Sequence, residues 1–233
     1  ADGMSKGVQF LMKKNKIDVI EGFGKLKPGK KVEVTDKDGK KTEYAADHII
    51  IATGARSREL PALPQDGKKV IGYRQALTLP ELPKKMIVVG SGAIGIEFAY
   101  FYNSMGTEVT IVEFMPNIVP VEDEEVSKQL ERSFKKIGIN ILTSAEVTKV
   151  DTSGKGVKAY VKTAKGEEVL EADILLSAVG IKTNIEGIGL EDVGIKVDRD
   201  KIQVDKFYQT NVPGYYAIGD VVRGAMLAHK AEE

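Results

Sequence analysis

Cysteine is absent from all 233 residues. That removes disulfides, thiolate nucleophiles and Cys-ligated metal together. Tryptophan is absent too, and histidine occurs only at His48 and His229. So few histidines leave little basis for a His-built metal centre or a Ser-His-Asp triad, and no metal ligand or catalytic residue is assigned. Neither sign of charge is in surplus: Lys+Arg and Asp+Glu are both 34. Nucleic acid and anionic membranes both demand a basic excess, so neither is expected as the main partner. The lysine runs "MKKNK" and "KPGKK" are balanced by acids elsewhere and read as solvated faces. No apolar run approaches the roughly 20 residues of a membrane span. No signal-peptide pattern is present either, and the expected location is cytoplasmic.

What remains is an ordinary globular composition, 42% hydrophobic and 29% charged, enough for one large or two modest domains. The chain starts in a helical pattern, "ADGMSKGVQFLMKK", and stops in "GAMLAHKAEE", a helix just beginning. The expectation is an internal piece of a longer protein.

Met4, Val8, Leu11 and Met12 predict a helix over 4–16. "IDVIEGFG", "KKVEVTDKDGKKTEY" and "HIIIATG" are β-rich, with Asp38-Gly39 as a hairpin turn. Residues 61–83, with Pro61, Pro64, Pro80 and Pro83, read as a connecting region around a short helical stretch. Then "KMIVVG" predicts a buried strand, and Ala93 to Met105 a helix with Ile94, Phe98, Phe101, Tyr102 and Met105 on one face. "EVTIVEF" follows as strand, and "DEEVSKQLERSFKKIG" as a helix with acids first, lysines last and Gly138 beyond its end. "INILTSAEV" reads as one further strand. This is a parallel βαβαβ order. "EVTKVDTSGKGVKAYVKTAKGEEVLEAD" alternates like an antiparallel meander, and "ILLSAVG" restores a buried strand. "ADHIIIATG" and "EADILLSAVG" repeat one idea: each follows a β meander and ends an apolar strand at glycine, Gly54 or Gly180.

Within "IVVGSGAIGIEF", Gly90, Gly92 and Gly95 spell G-x-G-x-x-G between a predicted strand and a predicted helix. That context marks a dinucleotide fingerprint. Gly90 permits the tight turn, Gly92 lets backbone approach a pyrophosphate, and Gly95 lets helix pack on strand. The helix N-terminus supplies N–H groups and positive dipole to the anion. Glu113 ends the next strand, where an acid accepts hydrogen bonds from a ribose diol and repels the extra phosphate of NADP. Phe114, Met115 and Pro116 bring no cation, so NAD is favoured. A plain surface acid is the other reading of Glu113. Glu97 reads as first-turn, either a ligand contact or a dipole partner. Asp220 follows a short apolar strand in "TNVPGYYAIGD", a position suited to cofactor hydroxyls. His229 opens a helix and by default is a surface or packing residue.

Together these stretches resemble the two-dinucleotide flavoprotein disulfide reductases. "ATG", "GSGAIGIE" and "AIGD" are shared across that family. "LLSAVGIKTNIEGIGLE" and "MLAHKAEE" are similar to the branch that oxidises protein-bound dihydrolipoamide with NAD. The resemblance implies an α/β architecture: a Rossmann-like NAD domain with parallel sheet and antiparallel meander, over 81–206. A partial FAD domain of similar build is implied over 1–80 and 207–233. It implies that Gly90, Ser91, Gly92, Ala93, Ile94, Gly95, Ile96 and Glu97 cradle NAD, with Glu97 near the nicotinamide amide and flavin. Glu113 would meet the adenosine ribose, Val147 the adenine, and Gly180 the nicotinamide end. Ile94 stands where glutathione reductases carry a tyrosine gate. For FAD it implicates Gly24, Thr53, Gly54 and Ala55, with Asp220 on the sugar chain and Met226, Leu227, Ala228 and His229 beside the ring.

The implied partners are a second subunit of the whole protein, lipoyl domains as substrate, and 2-oxo acid dehydrogenase complexes. The sequence departs from the family in lacking the N-terminal FAD fingerprint, the C-x4-C redox pair and the C-terminal dimerisation domain with its His and Glu. The implied consequence is a chain without dihydrolipoamide turnover and with weak FAD binding or none. Two further readings stay open: part of an NADH oxidase or ferredoxin reductase of this architecture, and an NAD-binding module without activity.

Overall fold

The run "KMIVV" is apolar after its first residue, the pattern of a parallel strand covered on both faces. In the computed structural model, which describes residues 2–232, Lys85–Val89 is the centre of a five-stranded parallel sheet. Its order is Val70–Ile71, Ile174–Ser177, Lys85–Val89, Glu108–Val112, Asn140–Leu142. The side chains alternate between two cores, as strand geometry requires. Met86 and Val88 pack with Ala99, Tyr102 and Phe134 of the crossover helices. Ile87 and Val89 pack with Val147, Val157, Ala159 and Val161 of the meander.

The crossover helices are Ala93–Ser104 and Glu124–Lys136. In the second, the Asp123 carboxylate accepts the Glu125 N–H at 2.8 Å, Glu124 and Glu125 fill the first turn, and Lys135 and Lys136 the last. This is the charge order that the helix dipole favours. The meander joins Glu146–Asp151, Val157–Thr163 and Gly166–Ala172 antiparallel.

Three expectations change here. "INILTSAEV" is not one strand: Asn140–Leu142 and Glu146–Asp151 lie in different sheets, and the chain turns between them at Ser144, whose φ is +50°. Residues 61–83 do more than connect, because Val70–Ile71 is an edge strand of the large sheet. Asp66 sets it up, accepting the N–H groups of Lys68, Lys69 and Val70. The Lys69 ammonium then donates to the Thr152 and Gly154 carbonyls. Finally, the Ala93–Ser104 helix buries Gly95, Ala99 and Tyr102, while Phe101 and Met105 are exposed. Small residues let this helix approach the sheet closely, and Tyr102 reaches the Ala76 carbonyl at 2.5 Å.

These elements form one of two compact units, Arg56–Lys182; the other takes in the residues up to Ala55 and those from Thr183 onward. The Val70–Ile71 strand belongs to the first unit, and the second has a separate core in which Ile188, Leu190 and Ile202 join Leu26, Ile49 and Tyr215. In that second unit the strands Phe23–Lys27, Lys31–Thr35 and Lys41–Ala45 form a meander. Its Asp38-Gly39 turn is closed by Asp36, which accepts from the N–H groups of Asp38 and Lys40 at 2.9 Å each. Ile49–Ile51 follows and pairs in parallel with Tyr215–Ala217. The helix Asp2–Lys14 buries none of its residues.

Candidate dinucleotide-binding site

The chain leaves the central strand in one direction to Glu108–Val112 and Asn140–Leu142, then returns to pair Ile174–Ser177 on the other side. Strand order reverses between Lys85–Val89 and Ile174–Ser177, and the crevice beyond their carboxyl ends is where open parallel sheets bind ligands. Gly90 ends the first strand. Its φ is +96°, and a Cβ there would stand 2.5 Å from the Ala178 carbonyl oxygen. Only glycine fits such a turn. On Gly95 a Cβ would collide with the Gly90 carbonyl oxygen, so the helix start and the turn interlock. Gly92 differs: nothing lies within 4 Å of its would-be Cβ. It is also the N-cap of Ala93–Ser104, and no side chain caps that terminus. The first-turn N–H groups and the dipole thus face the open side of the turn, a cradle for an anion.

Glu113 closes the site from the next strand. It is buried, 6% exposed, where the sequence suggested a displayed acid. Oε2 accepts from the Ser91 N–H at 2.7 Å and the Ser91 Oγ–H at 2.6 Å. Oε1 accepts the Met115 N–H at 2.8 Å, which leaves that oxygen one further acceptor position. Glu113 is therefore tied to the glycine turn. Hydrogen bonds to the charged form offset the cost of burying it.

Glu97 is exposed and falls past the first helical turn, which holds no acid. As the fifth residue of the helix that begins at Ala93, it lies one position beyond that turn. Ala93 is exposed, and Ile94 and Ile96 are half-buried against the helix-side core. Val147 is buried in the meander-side core, paired with Val161 beside a register shift. Gly180 has φ +103°, and its carbonyl accepts the Arg58 N–H at 3.0 Å.

The residues assigned to FAD all lie in the second unit, more dispersed. Gly24 sits in the meander strand Phe23–Lys27. Thr53 Oγ1 donates to the Asn184 carbonyl at 2.7 Å, and the Asn184 N–H donates to the Gly54 carbonyl at 2.9 Å. Ala55 is buried. Asp220 lies in the short turn Gly219–Val221, its carbonyl accepting Lys201 Nζ at 2.8 Å. Met226, Leu227, Ala228 and His229 are exposed around the start of the Ala228–Glu232 helix. No glycine turn into a helix follows Ile49–Ile51; the next element is the strand Ala55–Ser57.

Sequence reasoning missed Ala178, against which the turn packs, and Val119, whose N–H donates to the Ser91 carbonyl at 3.0 Å. Neither is glycine or charged, so neither carried a signal. Among the described residues no cluster of three acids or histidines is placed to hold a metal, and no helix is long and apolar enough to cross a membrane.

A family model described as pyridine nucleotide-disulphide oxidoreductase matches residues 1–233. The dihydrolipoyl dehydrogenase of Rhizobium etli is 49% identical over 98% of this chain and 51% of its own length. A leghemoglobin reductase of Vigna unguiculata is 43% identical over 99% of the chain and 45% of its own. Among solved structures, LpdA of Mycobacterium tuberculosis superposes with a TM-score of 0.88 at 33% identity, over 99% of this chain and 51% of that one. The chain spans about half the length of the curated relatives it matches.

Proposed function

The chain belongs to the pyridine nucleotide-disulphide oxidoreductase family, and on that premise we propose that Arg56–Lys182 is its NAD-binding unit. The observation that carries this is the interlocked turn: Gly90 and Gly95 leave no room for a side chain, while Gly92 faces open space at an uncapped helix N-terminus. These residues fit a pyrophosphate, held by first-turn N–H groups. The free acceptor position on Glu113 Oε1 receives a hydroxyl of the adenosine ribose. A 2′-phosphate there meets a carboxylate held in place by Ser91 and Met115, so NAD is taken and NADP refused. Val147 and Gly180 flank the adenine and nicotinamide ends, with Ile94 an open gate and Glu97 directed to the nicotinamide amide.

We further propose that the chain is the NAD-binding and partial FAD-binding portion of a dihydrolipoyl dehydrogenase. The relatives at 49% and 46% identity support this. In that reaction FAD and NAD supply the hydride chemistry. The residues of this chain bind and orient: the glycine turn holds phosphate, Glu113 holds ribose, Gly24, Thr53, Gly54 and Ala55 contact FAD, and Asp220 meets the flavin's sugar chain. The second unit lacks a glycine turn opening a helix among its described residues, so it contributes side chains to a flavin but no cradle for its pyrophosphate. We place the whole protein in the cytoplasm, as a homodimer within 2-oxo acid dehydrogenase complexes, with lipoyl domains as substrate.

With no cysteine in its sequence, the chain has no dithiol to pass electrons from dihydrolipoamide. The purified chain, given dihydrolipoamide and NAD+, is expected to produce no NADH and to carry no flavin colour. Turnover, or a yellow flavin-loaded preparation, contradicts this reading.

A further inference from the structure

Val119 has φ +42°, the left-handed region that a β-branched residue rarely enters. It also precedes Pro120, whose ring restricts its backbone further. The other described non-glycine residues with positive φ are Lys16, Lys30, Ser144, Arg199 and Tyr208, none of them β-branched. A conformation of this kind is strained and persists only where its surroundings over-determine it. The surroundings do so here. Ile118 beside it is fully buried. The Val119 carbonyl accepts the Glu122 N–H at 2.9 Å and the Ser127 hydroxyl at 3.5 Å. The Val119 N–H donates to the Ser91 carbonyl at 3.0 Å.

Ser91 is the hub of the glycine turn. Its N–H and hydroxyl both go to Glu113 Oε2, and its carbonyl goes to Val119. All of its polar groups are therefore engaged, and the strained valine holds the one side of Ser91 that Glu113 does not. The segment is braced at its other end as well: Ser144, also left-handed, donates its N–H to the Met115 carbonyl at 2.9 Å.

We propose that Val119 is a positioning residue for the dinucleotide: its left-handed backbone clasps Ser91 and so sets the turn and the Glu113 carboxylate in binding geometry before ligand arrives. The inference rests on the reading of this unit as the NAD site. What matters is the N–H and its direction, not the isopropyl group. Val119→Pro deletes the N–H and forbids positive φ. Val119→Asn keeps both, since Asn tolerates the left-handed region.

NADH and NADPH titrations of the full chain and both variants, with melting curves alongside, test the clasp. Val119→Pro is expected to weaken NADH about tenfold, the loss of one well-made hydrogen bond, and to narrow the preference for NADH over NADPH as Glu113 loosens. Val119→Asn is expected to restore both to within about twofold of the native chain, inside the spread of one ordinary hydrogen bond. A role confined to stability would lower the melting temperature of Val119→Pro and leave both ratios unchanged, which would overturn the proposal. So would Val119→Asn losing as much affinity as Val119→Pro. Should Val119→Pro not fold, hydrogen exchange on the native chain decides: the Val119 amide is expected to be protected without nucleotide, and rapid exchange overturns the clasp. Failure of the native chain to bind NADH refutes the site itself; loss of the contrast between variants refutes only Val119.

Discussion

Each unit places a three-stranded antiparallel meander before a short parallel strand that ends near a left-handed glycine, Gly54 in one and Gly180 in the other. The strands then meet different fates. Ile174–Ser177 lies inside a five-stranded sheet with a core on each face. Among the described residues Ile49–Ile51 has the single partner Tyr215–Ala217, and its middle residue, Ile50, is 63% exposed between two buried isoleucines. A two-stranded sheet is marginal unless one face is packed, and the cluster around Leu26, Ile188 and Tyr215 supplies that packing. The same strand-to-glycine plan opens a crevice beside a helix N-terminus only where strand order reverses.

The contrast breaks most sharply at the turn. Gly95→Ala drives a methyl into the Gly90 carbonyl, and overpacking against backbone is expected to cost about 3 kcal/mol or more and abolish NADH binding. Gly92→Ala meets open space, so its melting temperature should stay native while NADH affinity falls. Equal melting curves for the two variants would refute the interlock. The strands come next. Leu176→Ala empties a fully buried position and is expected to cost about 2–5 kcal/mol in urea unfolding. Ile50→Ala in the sister strand should change stability by no more than about 0.5 kcal/mol. A large loss from Ile50→Ala would mean that its face is covered in solution.

A smaller effect concerns the Val70–Ile71 edge strand. Burial pushes the Asp66 carboxyl up, but the N–H groups of Lys68, Lys69 and Val70, with the charge of Lys69, hold it below the ordinary carboxylate value. A carboxyl lowered on folding stabilises above its unfolded pKa and loses that contribution as pH falls through the folded one. Asp66→Asn is therefore expected to lower the melting temperature slightly at pH 7. The gap should close as pH drops below about 4. A gap that persists into acid would assign the effect to shape, not charge.

The glycine turn was legible in sequence because its requirements are local: glycine where no Cβ fits, an apolar strand before, a helix after. The meanders were legible from alternation, as in Val157, Ala159 and Val161. Long-range geometry was not. The break at Ser144 depends on a bond to Met115, and Val70–Ile71 is too short and too close to prolines to show as a strand. The buried face of the Ala93–Ser104 helix does not follow from side-chain size, because close approach selects small residues: Gly95 and Ala99 are buried, while Phe101 and Met105 are exposed. At the site, Glu113 was legible as an acid at a strand end but its burial was not, since that follows from two bonds to Ser91. Val119 was invisible, because a valine before a proline gives no sign of a left-handed turn.

The proposed function stands or falls on NAD being held at the turn that Glu113 and Ser91 build. Titrating the purified chain with NADH and NADPH by calorimetry tests this most directly. Saturable NADH binding is expected, with NADPH weaker by about tenfold or more, the cost of setting a phosphate against the Glu113 carboxylate. NADPH binding as tight as NADH, or no saturable NADH binding, would contradict it.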